Sequence, residues 1–177
     1  LVYNAEGNGI VLSRNCDLVI VDDKGREKSR HHVPYGTKLL VAEDAKVKKG
    51  QKVAEWDPFT IPVISEKAGQ AELVDLINNV SVKEVVDETT GVVSKTVIDW
   101  RSNSSSAGLK PSIILKDEKG KPVTYDNGKE IRYYMSVDAI LSVEDGQEVQ
   151  TGEVIARIPR ESSKTKDITG GLPRVAE

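Results

Sequence analysis

Leu39-Leu40-Val41-Ala42-Glu43-Asp44-Ala45-Lys46-Val47-Lys48-Lys49-Gly50-Gln51-Lys52-Val53-Ala54-Glu55-Trp56 decides the fold, because the phrase returns near the end of the chain. At an offset of 102 residues, Leu39, Val41, Val47, Gly50 and Ala54 fall on Leu141, Val143, Val149, Gly152 and Ala156. Val53 falls on Ile155 and Glu43 on Asp145. The shared phrase is an apolar strand, an acidic turn, then Val-x-x-Gly-x-x-Val-Ala. Upstream, Asp22-Asp23-Lys24-Gly25 recurs as Asp117-Glu118-Lys119-Gly120, with Leu18, Val19 and Ile20 matched by Ile113, Ile114 and Leu115. That block is offset by 95, and the seven-residue difference fits a longer hairpin arm between Gly120 and Val143. Order is kept while a loop varies, the signature of an internal repeat. A duplicated, mostly β module is the expected fold.

The 177 residues suit one domain or two small ones. Hydrophobic residues at 38% and charged residues at 30% are ordinary globular composition. One Phe, one Met and two Trp leave the core to Val, Ile and Leu. A net charge of −3 supplies no field that would draw nucleic acid over the whole surface. The single cysteine, Cys16, cannot form an internal disulfide, which favours a reducing compartment. No apolar run reaches the ~20 residues of a membrane span, and no secretory signal opens the chain. The start at Leu1, without an initiator Met, suggests a piece of something longer.

Along the chain, Glu6-Gly7-Asn8-Gly9 is a loop signal, and residues 1–12 form an entry segment. Ile10 to Leu12 and Leu18 to Val21 read as strands, with Asp22 to Gly25 a hairpin turn before a basic arm, Arg26 to Val33. A first module spans 13–101. Within it, the prolines of Asp57-Pro58 and Ile61-Pro62 predict a connector rather than a central strand. Strands are expected at Val63 to Ser65 and Gln70 to Leu76, with a helical turn over Leu73 to Asn79 as the alternative. A hairpin over Val82 to Trp100 turns at Glu88-Thr89-Thr90-Gly91. Residues 102–108, Ser-Asn-Ser-Ser-Ser-Ala-Gly, read as a flexible linker and domain boundary. A second module follows at 109–160, about fifty residues and a marginal core by itself. Residues 161–177 are polar, then Gly170-Gly171 and Pro173 follow; this exit segment has no counterpart in the first module.

Catalytic chemistry is thin. Adjacent His31 and His32 on a strand point to opposite faces and cannot share one metal. No Cys/His cluster has zinc spacing, and Gly50 and Gly152 complete no phosphate loop. No catalytic, cofactor-binding or metal-binding residue is expected. Lys46, Lys48, Lys49 and Lys52 form a basic edge, joined by Arg26, Lys28 and Arg30, whose ordinary role is to block strand pairing and whose sharper role is phosphate contact. The interleaved aromatics of single-strand binders are missing. The repeat phrase resembles the barrel-sandwich fold of biotinyl and lipoyl carrier domains. At the acceptor position, however, Asp57 to Pro62 holds no lysine, and Lys67 is a poor substitute.

Three stretches carry a more specific resemblance: Val33-Pro34-Tyr35-Gly36, Trp56-Asp57-Pro58-Phe59-Thr60-Ile61-Pro62-Val63-Ile64-Ser65-Glu66, and Ala156-Arg157-Ile158-Pro159-Arg160-Glu161 running on to Thr165-Lys166-Asp167-Ile168-Thr169-Gly170-Gly171-Leu172-Pro173-Arg174-Val175-Ala176-Glu177. In that order they resemble the β′ subunit of bacterial RNA polymerase, in the lineage-specific insertion within its trigger loop. The resemblance covers essentially the whole chain. It implies two tandem sandwich-barrel hybrid motifs, carried on a loop that folds over the incoming nucleotide and unfolds at each addition cycle. It also implies a non-catalytic insertion that tunes pausing, elongation and transcript cleavage. Ile168, Thr169, Gly170, Gly171, Leu172 and Pro173 match the hinge and exit side of the loop. The implied partners are the rest of β′ and the β, α and ω subunits, with downstream DNA and secondary-channel cleavage factors beyond them. The implied setting is the cytoplasm, at the nucleoid, with no membrane. Magnesium and zinc belong to parts of the parent enzyme outside this chain. The alternatives are a stand-alone β-rich binding module and a degenerate carrier-like domain.

Overall fold

The computed structural model describes residues 1–160, where the chain forms strands and no helix. The strands are β1 (Val2–Tyr3), β2 (Gly9–Ile10), β3 (Cys16–Val21), β4 (Glu27–Val33), β5 (Lys38–Leu39), β6 (Ala54–Glu55), β7 (Thr60–Ile64) and β8 (Gly69–Val74). They continue as β9 (Val82–Val86), β10 (Val93–Val97), β11 (Ser112–Lys116), β12 (Arg132–Tyr134), β13 (Ile140–Leu141), β14 (Glu148–Val149) and β15 (Val154–Pro159). They pair antiparallel into four sheets, in the orders β1-β2-β5-β6, β7-β15-β13-β10-β9, β12-β11-β8-β14 and β3-β4. The expectation of a mostly β, sandwich- or barrel-like fold holds.

The repeated phrase makes the same bonds twice. Leu39 pairs with Ala54 and Lys38 with Glu55; Leu141 pairs with Ala156 and Ile140 with Arg157. Leu40 N–H donates to Val53 O at 2.8 Å, and Ser142 N–H to Ile155 O at 2.9 Å. Left-handed backbone recurs at Gly36 and Asp138, Asp44 and Gly146, and Gly50 and Gly152. Sequence chemistry explains most of this, since glycine and Asp adopt positive φ with little or modest strain. On the other edge of the phrase, β2 pairs Gly9 with Leu39 and Ile10 with Lys38, while β10 pairs Lys95 with Leu141 and Thr96 with Ile140. The two Asp-led turns also agree: the Asp22 and Asp117 carboxylates each accept two backbone N–H groups, from Lys24 and Arg26 and from Lys119 and Lys121.

The main core lies between the five-stranded and four-stranded sheets, where Ile113, Leu115, Ile131, Val149, Ile155 and Ala156 are sealed from solvent. The sheets run across the 102–108 stretch: β8 pairs with β11, β10 with β13, and β7 with β15. That stretch is wrapped around Trp100, because a buried indole needs a partner for its N–H. Trp100 Nε1 donates to Leu109 O at 3.0 Å, and buried Ser106 Oγ donates to Trp100 O at 2.7 Å. A serine-rich composition read as loose linker is thus a built turn. The Pro58 to Pro62 connector likewise differs in part, because Thr60–Ile64 is a strand that includes Pro62. It is tolerated since β7 occupies an edge of its sheet, with a register irregularity opposite at Val154/Ala156. Residues 75–79 adopt no helix; Asp75 and Asn79 take positive φ instead. No helix among the described residues is long and apolar enough to cross a membrane.

Gly36 and Gly50 separate two uses of glycine. Both have positive φ, but a Cβ on Gly36 would run into the Pro62 ring, whereas one on Gly50 would meet open space. Gly50→Ala should cost about 1 kcal/mol from left-handed strain alone. Gly36→Ala should cost about 2–4 kcal/mol, because overpacking adds to that strain. Urea unfolding of the two variants measures the gap, and equal costs would mean that Gly36 and Pro62 do not meet.

Candidate functional site

The described residues converge on the junction between the first sheet and β7. Tyr35 follows Pro34 into a turn closed by Thr37, whose N–H and Oγ1 both donate to Pro34 O. That turn aims the Tyr35 hydroxyl at Ile64 N–H, which donates to it at 3.3 Å. Beside it the Asn4 backbone lies against Gly152, where an added Cβ would be crowded to 3.1 Å from Asn4 Cα. A cleft of about 470 Å³ opens here, lined by Ile10, Tyr35, Lys38, Trp56, Asp57 and Arg157 among others. Trp56, in its lining, is 49% exposed, and Phe59, three residues on, is 63% exposed.

Charge in this cleft is balanced rather than concentrated. Lys38 pairs with Glu6 at 2.8 Å and Lys52 with Glu55 at 2.7 Å. Asp57 accepts from Thr60 Oγ1 at 2.6 Å and Phe59 N–H at 2.8 Å, which holds its carboxyl below the usual range. Arg157 sits 3.8 Å from the same carboxylate. Solvent-exposed pairs of this kind contribute little to stability; they fix the local geometry of polar side chains.

Of the predicted basic edge, Lys46, Lys48, Lys49 and Lys52 all lie exposed in the loop between β5 and β6, not on a strand. None of the four lies on a strand, since β5 ends at Leu39 and β6 begins at Ala54. Of the three cations expected to join them, two are engaged by carboxylates, Arg26 by Asp22 and Arg30 by Asp17 and Glu27, and Lys28 lies exposed on β4. His31 and His32 are exposed on β4, and His32 Nδ1 lies 3.1 Å from Asp17. Among the described residues no three His, Cys, Asp or Glu side chains gather as a metal ion requires. Ile168, Thr169, Gly170, Gly171, Leu172 and Pro173, with the whole 161–177 exit segment, lie outside the described residues.

Sequence reasoning passes over a tyrosine cluster at the β7–β8 turn. Glu66 N–H donates to the Tyr133 hydroxyl at 3.0 Å, and the Glu66 carboxylate also bears on Tyr35 and Tyr125. Burial pushes all three phenols up, Tyr133 to about 12. The only signal is the scarcity of aromatics, which leaves these tyrosines to fill the junction. A phenol whose pKa is raised on folding contributes full stability below its unfolded pKa, and that contribution is lost as pH climbs through the folded value. Stability should therefore fall from about pH 10 to about pH 12, read by chemical denaturation alongside phenolate absorbance. Tyr133→Phe should shrink this alkaline loss while costing about 0.5–1.5 kcal/mol at neutral pH, through the missing acceptor. An alkaline limb unchanged by the substitution would refute it.

No family model matches the chain. Among proteins, it is 53% identical over all 177 residues to the DNA-directed RNA polymerase subunit beta′ of Rickettsia typhi (strain Wilmington). It is 52% identical over the same span to those of Rickettsia conorii (strain Malish 7) and Rickettsia prowazekii (strain Madrid E). In each case the match takes in the whole of this chain and 13% of the relative. Matched without a break in coverage from Leu1 to Glu177, this chain belongs to the family of DNA-directed RNA polymerase beta′ subunits, as a segment spanning 13% of its relatives' length.

Proposed function

We propose that this segment is a non-catalytic insertion of the β′ subunit that biases trigger-loop folding during DNA-templated RNA synthesis. The observation that carries the reading is the full-length match to subunits about eight times longer, joined to the phrase Thr165 to Val175. An all-β body placed inside a large subunit can act through the loop that carries it. The carrying loop alternates between two states, so any contact the body makes in only one of them shifts the balance. About 1.4 kcal/mol of differential contact changes the population ratio tenfold. Ile168 to Pro173 take the role of hinge in this reading, with Gly170-Gly171 absorbing the backbone rotation.

The chain holds two sandwich-barrel hybrid modules in this reading. Strand pairing favours drawing the second from about residue 57 rather than from 109, since β7 to β10 share sheets with β11 to β15. The other partners are the rest of β′ and the β, α and ω subunits, and the nucleotidyl transfer chemistry with its metals resides with them. The exposed loop lysines Lys46, Lys48, Lys49 and Lys52 are the surface offered to downstream DNA, and secondary-channel cleavage factors are further partners in this reading.

Removing residues 1–160 from the parent subunit should change pause lifetimes and elongation rate in single-round transcription; unchanged kinetics would overturn the proposal. Changing the four lysines to Gln should lower the salt dependence of polymerase–DNA affinity, by about 0.9 in logarithmic slope for each phosphate left without its lysine. An unaltered slope would remove the lysines from the DNA interface.

A further inference from the structure

The two halves of the fold match strand for strand except in one respect. The sheet β1-β2-β5-β6 corresponds to β9-β10-β13-β15, and the hairpin β3–β4 corresponds to β11–β12. The second half then has two further inserted strands, β7 and β8, and a third, β14, that pairs only with β8. β7 lies along the outer edge of β15, and β8 lies between β11 and β14. In the first half the corresponding sheet ends at β6, and β3 and β4 form a sheet of two.

β8 shows what occupies such a position. Ala71 N–H donates to Gln147 O and Gly146 N–H to Ala71 O, each at 2.8 Å, while Ile113 pairs with Leu73 and Leu115 with Ala71. Beneath it Ile113 and Leu115 are 0% exposed, Val149 1% and Val143 3%. In the first half the counterparts Leu18, Ile20, Val41 and Val47 are only half-buried. Val19, matching the 6% exposed Ile114, is 38% exposed. The apolar residues for a covered sheet are present, and no described strand covers them. Backbone groups equivalent to those that bind β8 are the Asp44 N–H, the Ala45 carbonyl and the free edge of β3. An edge of this kind is a template for another strand.

We propose that this open position between β3 and residues 44–47 is filled by an extended strand of the same β′ chain, running antiparallel to β3, from the segment preceding Val2. Chain order selects the occupant. β7 and β8 come immediately before β9 and β10, whose counterparts are β1 and β2, so the missing pair belongs immediately before β1. The relatives are long enough to supply it, since this chain spans 13% of their length. The connection from β8 to β9, residues 75–81, sets the length of link to expect. The pattern to expect is that of β8: glycine, then apolar residues two and four positions later. Glycine is required because a Cβ on Gly69 would come within 2.9 Å of Lys116 O and 3.1 Å of Leu115 Cβ. The first strand of the pair would lie along β6 beside Trp56, as β7 lies along β15. The segment before the body is thereby knitted into it, and a pull on that side reaches β3 directly. This inference rests on family membership and not on the trigger-loop reading.

Hydrogen exchange on the full-length subunit in assembled polymerase tests it. Peptides covering 16–21 and 44–47 should exchange as slowly as their counterparts at 112–116 and 146–149. Replacing the two-strand segment before Leu1 with a Gly/Ser linker of equal length should speed exchange about tenfold or more at 16–21 and 44–47. Exchange at 112–116 should stay unchanged, showing that the second half still folds. Fast exchange at 44–47 in the unaltered subunit would overturn the proposal. So would slow exchange that survives the replacement, because the strand would then come from elsewhere in the polymerase. Transcription kinetics do not enter this readout, so it fails or stands separately from the trigger-loop proposal.

Discussion

Leu141 is bonded on both sides at once, to Lys95 across one edge of β13 and to Ala156 across the other. β13 is two residues long and yet central in a five-stranded sheet. Its brevity is possible because the chain turns sharply before and after it, through positive φ at Asp138 and Gly146. Those turns bring Val143 and Val149 beneath β8, where they meet Ile113 and Leu115 in the main core. Without that doubly bonded strand the two sheets would have no common wall. Most of the apolar burial, the dominant favourable term in folding, depends on it.

The same constraint explains why so much is legible in the sequence. Strands this short leave turns as the main carriers of information, and turn chemistry is local. Asp-Glu-Lys-Gly, Val-x-x-Gly and Pro-Tyr-Gly each specify a bond pattern within a few residues. The register between Leu39 and Ala54 therefore follows from the spacing of Val47, Gly50 and Val53. Pairing at long range is what stays hidden. Nothing near Pro62 says that it will lie opposite Arg157, and the prolines there argue for a connector. Nothing in Ser102 to Gly108 announces that Ser106 will be buried under Trp100. A split of the chain at 102–108 follows from composition alone, which reports local solvation and not the partner of each edge.

At the junction, sequence reading is weakest and geometry most informative. Lysines draw notice because charge is visible in a sequence, whereas Tyr35, Gly36, Asn4 and Gly152 matter through what they touch. Contact of backbone on backbone at Asn4 and Gly152 leaves little freedom there. A body joined in this way can transmit a displacement where a string of two independent domains would absorb it. That mechanical property arises from glycines and a proline rather than from charge.

The long-range pairing also governs the order in which the fold can be made. β7 leaves the ribosome almost a hundred residues before its partner β15. At ordinary synthesis rates of about 5–20 residues per second, that is a wait of roughly 5–20 s. During it the β7 edge has no mate, a hazard for any extended apolar segment. Pro62 within β7 removes one donor from that waiting edge, and Glu66 and Lys67 charge the turn beyond it. Residues that look like breakers in the finished structure thus protect the nascent chain while its last strand is still being translated.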